Sequence, residues 1–252
     1  MTGLQGVGEH VLVLRVGTFR EIDCWVRFFS PLRGMETAFA FGGRRSRRRF
    51  PGCLDNFNHL RVDLQAPRSG RYLALSEGTL VHRFARLQDD MRTLGMAVNC
   101  IKFLEAAHIG PDQASSVFDL VLKTLHVLDE YEEIPASFPL FFRSRLTCTY
   151  GYTPDVDYCG LCHRPLTDNA CGAFSWQEGY ALCEQCMKMR TPSRACTGID
   201  LRRLKMLMLG DPQVWVEQGW PAAEDRALWQ ALDMFVEYHS GLRWDGGRFR
   251  RG

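Results

Sequence analysis

Apolar positions between residues 10 and 83 fall in short runs and alternations of strand length with turns between them. Residues 11–16 are almost continuously apolar, and residues 24–29 form a second such run that Pro31 ends. Residues 35–41 alternate, with Met35, Phe39 and Phe41 on one side. Leu60, Val62 and Leu64 alternate against Arg61 and Asp63. Residues 72–75 and 79–81 make a last candidate, interrupted by Gly78. About five short strands with no helix-length pattern predict a small antiparallel barrel or sandwich; a five-stranded barrel of this size is an OB-fold.

After residue 84 the period lengthens to that of helices. Leu94, Val98, Ile101 and Leu104 share one face, and Phe118, Val121, Leu125 and Leu128 share another in a helix that Pro111 starts. Pro135 and Pro139 delimit a third element over residues 140–148. Thr197-Gly-Ile-Asp200 has the form of a capping box ahead of Leu201, Leu204 and Met208. A last helix is expected after Pro221, with Glu224 and Asp225 in its first turn and Leu228, Leu232, Phe235 and His239 down one face. The expected fold class is therefore α+β: an N-terminal small β-barrel or sandwich over residues 1–83, an OB-fold if it is the five-stranded barrel, followed by an all-α domain over residues 84–252.

Between the third and fourth helices the pattern breaks at Cys159-Gly-Leu-Cys162 and, twenty residues on, Cys183-Glu-Gln-Cys186. Two residues between cysteines let a tight turn aim both thiolates at one ion, and a second such turn completes a closed tetrahedral shell. Phe174, Trp176 and Tyr180, punctuated by Gly172 and Gly179, predict a short hairpin over the metal. The expectation is a four-cysteine zinc ribbon inserted at about residues 156–190, holding one structural Zn2+ per chain, with Gly160 supplying positive φ in the first turn if required. Four buried thiols or two disulfides are the alternatives. Four thiolates leave zinc no open position for a reacting water, and His163 is an off-register ligand at most.

Charge changes the picture more than composition does. The chain of 252 residues has a net charge of +2, yet residues 1–80 carry +5 and the remainder −3. A basic N-terminal third suggests a face for polyanions. It concentrates in Gly42-Gly-Arg-Arg-Ser-Arg-Arg-Arg-Phe50, where five arginines fall in six positions. Crowded like charges repel, and phosphates seated among them relieve the repulsion. Guanidinium grips phosphate through paired hydrogen bonds and stacks on bases, so Arg44, Arg45, Arg47, Arg48 and Arg49 are the candidate nucleic-acid contacts. Phe41, Phe50 and Phe57 are candidate stacking faces. A solvated turn with core phenylalanines at its ends is the bland reading of the same residues.

The remaining cysteines are scattered through the chain, several in apolar runs, and read as buried thiols. The N-terminal residues lack a signal-peptide pattern and no apolar run is long enough to span a bilayer, so a reduced cytoplasm is the expected compartment.

The arginine-rich stretch continues into Leu54-Asp-Asn-Phe-Asn58, and a helical segment leads through Tyr150-Gly-Tyr-Thr-Pro154 to the cysteine pairs. This order resembles the bacterial recombination mediator family RecO over nearly the whole chain. The resemblance implies an N-terminal OB-fold and a helical domain with a zinc-binding insertion. It implies binding of single- and double-stranded DNA, annealing of complementary strands, and action with RecR in loading RecA onto DNA coated by single-strand-binding protein. The acidic C-terminal tail of that protein is an implied partner, and the nucleoid an implied location. Some members of the family lack the four cysteines. The C-terminal Trp244-Asp-Gly-Gly-Arg-Phe-Arg-Arg-Gly252 is more basic than the resemblance suggests and receives no role.

Two rival functions are weighed against this one. An RNA-binding protein can use the same barrel and ribbon, because OB-folds take either nucleic acid. A nuclease using Asp155 and Asp157 is the enzymatic rival, but acids one residue apart before a metal turn more often cap the turn or stay solvated. No Gly-x-x-x-x-Gly-Lys-Ser/Thr loop is present, so nucleotide hydrolysis is not expected. The expectation is a binding protein rather than an enzyme.

Overall fold

The computed structural model describes residues 8–65, 72–166, 171–189, 195–217 and 226–252. Two compact units emerge: residues Met1–Met91 with Ile109–Asp129, and Arg92–His108 with Glu130–Gly252.

The first unit is built on strands β1 (Glu9–Thr18), β2 (Cys24–Ser30), β3 (Gly34–Ala40), β4 (His59–Gln65) and β5 (Leu73–His82). They close into a barrel of order β1-β2-β3-β5-β4, antiparallel except for the short parallel β3–β5 seam. Val11, Val13, Cys24, Val26, Phe28, Ala38, Ala40, Leu60, Val62 and Leu75 fill the interior. Residues 11–14 read as one apolar run because both faces of β1 are covered. After helix α1 (Ala85–Asp89) and helix α2 (Met91–Ala107), helix α3 (Ala114–Glu130) returns to the barrel. Its Phe118 ring lies 6.1 Å from Phe29 and 5.8 Å from His59.

Several local expectations change. β5 runs unbroken through Gly78, which pairs with Val62 in the ladder, and its bare Cα leaves room for the Phe50 ring. On β3 the inward residues are Ala38 and Ala40, so Phe39 stands on the outer surface rather than in the core. α2 likewise buries Met96, Cys100 and Phe103 along with Ile101 and Leu104, and not Leu94 or Val98.

The second unit contains helix α4 (Phe138–Thr149), a ribbon of β6 (Asp155–Cys159), β7 (Cys171–Ser175), β8 (Tyr180–Leu182), helix α5 (Glu184–Met189) and β9 (Ala195–Asp200), then helices α6 (Leu201–Leu209), α7 (Val214–Glu217) and α8 (Arg226–Ser240). Pro139 sits in the first turn of α4, where its missing N–H costs nothing. Asp200 caps α6, its carboxylate accepting from the Arg203 N–H at 3.1 Å; Thr197, expected as the cap, belongs to β9 opposite Ala173. The expected start of α8 at Pro221, Glu224 and Asp225 lies outside the described residues. Trp215 is fully buried, with Phe138 and Phe141 edge-on to it at 5.4 and 6.2 Å. The ribbon docks on α8 through Phe174, 5.9 Å from Phe235, and through His239, which donates to the Trp176 carbonyl at 3.0 Å.

A hairpin that the helical reading did not anticipate ends the chain: β10 (Leu242–Asp245) and β11 (Arg248–Arg251). Its turn residues Gly246 and Gly247 have φ of 53° and 90°. Two successive positive-φ residues match the right-handed strand twist, which is why Asp-Gly-Gly makes the turn here.

Candidate nucleic-acid interface and metal site

The arginine-rich segment leaves β3 and returns to β4 as a stitched loop rather than a free tip. The Gly42 N–H donates to the buried Asp23 carboxylate at 2.7 Å, and the Arg44 N–H to the Ile22 carbonyl at 3.1 Å. The Gly78 N–H donates to the Arg49 carbonyl at 2.9 Å, tying the middle of the loop to β5. Asn58, fully buried, donates to the Gly52 and Cys53 carbonyls at 3.1 and 3.0 Å. Phe50 and Cys53 join the barrel core beneath the loop, and Phe57 is also buried.

This packing separates the five arginines. Arg44, Arg45, Arg47 and Arg48 are exposed. Arg49 is half-buried; its guanidinium donates to the Phe41 carbonyl and lies 5.3 Å from the Phe50 ring centre. It therefore holds the loop closed, and four guanidinium groups remain presented to solvent. Of the three phenylalanines expected as stacking faces only Phe41 is exposed; Phe57 is buried, and Phe50 packs into the barrel core. Asp23 and Asn58, the two residues that fix the loop, had no signal beyond their position beside a strand end and inside the Phe-Asn motif.

The four cysteines of the ribbon converge. Their Sγ atoms all lie within 4.8 Å of one another, with Cys162 and Cys183 at 3.9 Å. A tetrahedral shell with metal–sulfur bonds of about 2.3 Å places sulfurs about 3.8 Å apart, so the donor set fits one thiophilic ion. Cys159 and Cys186 are buried, Cys162 is exposed and Cys183 is between. Burial pushes the Cys159 thiol up, but N–H groups of Cys183, Cys162 and Leu161 outweigh it and bring the thiol down to about 6. The Cys183 N–H stands 3.4 Å from that sulfur. Hydrogen bonding with Cys162, then burial, pushes Cys186 up to about 12. Crowded thiols that cannot all ionise alone are the arrangement a dication relieves.

The first turn uses its residues differently from the expectation. The left-handed residue is His163, at φ 55°, exposed and not one of the converging group. Gly160 is needed for a close approach: a Cβ there would sit 2.3 Å from the Tyr180 ring. Asp155 accepts from the N–H groups of Asp157 and Tyr158, both at 3.2 Å, and Asp157 pairs with Lys205. Both acids are thus engaged in holding the ribbon's first strand and its neighbour.

Sequence comparison adds the lineage. Residues 7–84 match the family model described as recombination protein O N terminal, and residues 88–246 the one described as recombination protein O C terminal. The chain is 41% identical over 248 residues to the DNA repair protein RecO of Oleidesulfovibrio alaskensis, covering 96% of this chain and 98% of that one. It is 42% identical over 246 residues to the protein of the same name from Nitratidesulfovibrio vulgaris and 37% over 243 residues to that from Maridesulfovibrio salexigens, with the same coverage. Among the described residues no helix is long and apolar enough to cross a membrane.

Proposed function

The chain belongs to the RecO family, and from that premise we propose that it is a DNA-binding recombination mediator acting in DNA repair. It binds single- and double-stranded DNA through Arg44, Arg45, Arg47 and Arg48, anneals complementary strands, and works with RecR to load RecA onto DNA coated by single-strand-binding protein. The observation that carries the reading is the placement of four exposed guanidinium groups on a loop stitched to the end of an OB barrel. Annealing needs no nucleotide and no catalytic group. It needs a surface that screens two phosphate backbones while the bases stay free to pair, and a fixed arginine cluster supplies the screening. The protein is accordingly read as non-enzymatic and as working on the nucleoid in the cytoplasm. The family match, to proteins named for DNA repair, offers nothing for an RNA-binding role.

Cys159, Cys162, Cys183 and Cys186 hold one Zn2+ per chain in this reading. When bound, the ion cross-links β6, the β7–β8 hairpin and α5; its closed sulfur shell leaves no site for substrate. For the tail of single-strand-binding protein the supporting feature is a pocket where Arg143 and Arg243 meet the apolar surface of Val236, Leu242, Trp244 and Phe249. Its arginines pair with Asp233 and Glu237 on the same wall, carboxylates that an acidic tail would displace. Arg143 lies 5.4 Å over Phe249 and Lys102 5.6 Å over Trp244, so charge and aromatic surface meet there. Lys123 and Arg145, which share the basic character of the helices, lie outside this pocket.

The test is annealing of complementary fluorophore- and quencher-labelled strands by the wild-type protein and by the Arg44→Ala, Arg45→Ala, Arg47→Ala, Arg48→Ala variant. The wild type accelerates annealing and the variant does not; equal acceleration by both overturns the assignment of the DNA surface to this loop.

A further inference from the structure

The outer face of the barrel beside the arginine loop is aromatic, and packing does not account for it. On β2 the side chains of Cys24, Val26 and Phe28 point inward, which turns Trp25 outward; on β3 Ala38 and Ala40 point inward, which turns Phe39 outward. Trp25 and Phe39 are direct cross-strand partners, and Gly17 of β1 lies opposite Trp25 on its other side. A Cβ on Gly17 would fall 2.3 Å from the indole, so the Trp25 ring lies across bare backbone. Phe39 is the hub of the cluster. Phe19 meets it edge-on at 4.8 Å, Tyr72 edge-on at 5.2 Å, and Phe41 stacks with it at 6.3 Å and 20°. Phe19, Phe41 and Tyr72 are 46, 49 and 62% exposed. Contiguous apolar rings on the solvent side of a small barrel mark a surface made for a partner.

The rim of this patch is cationic. The Arg20 guanidinium lies 5.2 Å from the Phe19 ring centre. Phe41 runs directly into Gly42 and the arginine loop, and Arg44 is fastened by its N–H to Ile22 in the β1–β2 turn that carries Phe19. Flat apolar faces next to a row of guanidinium groups complement one kind of polymer: a phosphodiester chain whose bases are unstacked. A duplex buries its base faces and can reach only the arginines.

We propose that Phe19, Trp25, Phe39, Phe41 and Tyr72 form a base-stacking platform for single-stranded DNA, so that this face takes bases from an unpaired strand while the arginines take phosphates from strand and duplex alike. The proposal rests on the DNA-binding reading above and adds what distinguishes a single strand from a duplex on this surface. Stacking is not coupled to counterion release, so the two contributions separate by their salt dependence.

The experiment is a titration of labelled oligothymidylate, an abasic strand with the same phosphates, and a duplex, with wild-type protein and the double variant Phe41→Ala, Tyr72→Ala. The variant is expected to bind oligothymidylate about tenfold or more weakly. Its salt slope, its affinity for duplex and its affinity for the abasic strand stay at wild-type values. Trp25 indole fluorescence, isolated as the difference from Trp25→Phe, is quenched by oligothymidylate and not by the abasic strand. Both substituted rings are exposed, so unchanged thermal unfolding is expected and confirms that the fold is intact. Wild-type affinity of the double variant for oligothymidylate, with binding still lost in the four-arginine variant, overturns the platform alone and leaves the face to a protein partner. Equal weakening for strand and duplex also overturns it. Failure of the wild-type protein to bind any of the three probes overturns the DNA-binding reading itself.

Discussion

Replacing Arg44, Arg45, Arg47 and Arg48 together with alanine, while keeping Arg49, tests the electrostatic core of the functional reading. These four side chains are exposed, whereas Arg49 donates to the Phe41 carbonyl and packs on Phe50. If each of the four neutralises one phosphate of a single strand, counterion release contributes roughly −0.7 per contact to the slope of log affinity against log salt, or up to about −2.8 in all. Over a fourfold rise in salt that slope corresponds to a loss of about 50-fold in affinity. For duplex DNA, at about −0.9 per contact, the same loop contributes up to about −3.6. Fluorescence anisotropy of a labelled strand and of a labelled duplex, each titrated at several salt concentrations, measures the two slopes. The variant should show flatter slopes by nearly these amounts, with thermal unfolding unchanged because no core contact is lost. A single substitution among the four should remove about a quarter of the effect, alike for all base sequences, since phosphate contacts carry no base code. A four-fold variant that keeps the wild-type slope refutes the reasoning and makes the loop a solvated turn.

Arg49→Ala should instead lower stability by about 1 kcal/mol through loss of a charged hydrogen bond and a ring contact, leaving the salt slope nearly intact; chemical unfolding that is unchanged would contradict the structural role. Metal analysis should find one zinc per chain, and Cys183→Ser should lose it and unfold at lower temperature, since a structural zinc–thiolate site contributes folding free energy directly; zinc-free, equally stable wild-type protein would remove the claim. His59 is held down from 6.5 to about 4 by burial and then by the neighbouring His10, His126 and His82. Below pH 6.5 the unfolded chain takes up a proton that His59 refuses in the folded chain, so this one group should lower stability by about 3 kcal/mol as the pH falls to 4; His59→Gln should flatten that decline in denaturant titrations. An acidic peptide ending in an aromatic residue should bind at low salt, and Arg143→Ala should weaken it; no binding to the wild type would dismiss the pocket.

How much of this was legible beforehand depended on how local each signal was. The cysteine pairs set their own turns, so spacing alone gathered Cys159, Cys162, Cys183 and Cys186, and the Phe174–Tyr180 segment formed the expected hairpin. Short apolar runs and alternation between them located all five barrel strands, because both are local properties of the strand itself. The density of arginines was equally plain. Which face of a strand turns inward was not. Met35, Phe39 and Phe41 form the more apolar row of β3, yet Ala38 and Ala40 occupy the interior, where Phe28, Phe50 and Cys53 from elsewhere in the chain already take the space. A small closed barrel admits only the side-chain volume its other strands leave free, and that volume is settled by residues far away in sequence. The same long-range closure buried Phe50 and Phe57, withdrew Arg49 from solvent by way of Phe41, and assembled an aromatic surface from Phe19, Trp25, Phe39, Phe41 and Tyr72. Sequence by itself determined the barrel strands, the gathering of the four cysteines and the charge; tertiary structure decided which arginines and which rings meet solvent, because exposure belongs to the whole packed barrel and not to any one segment of it.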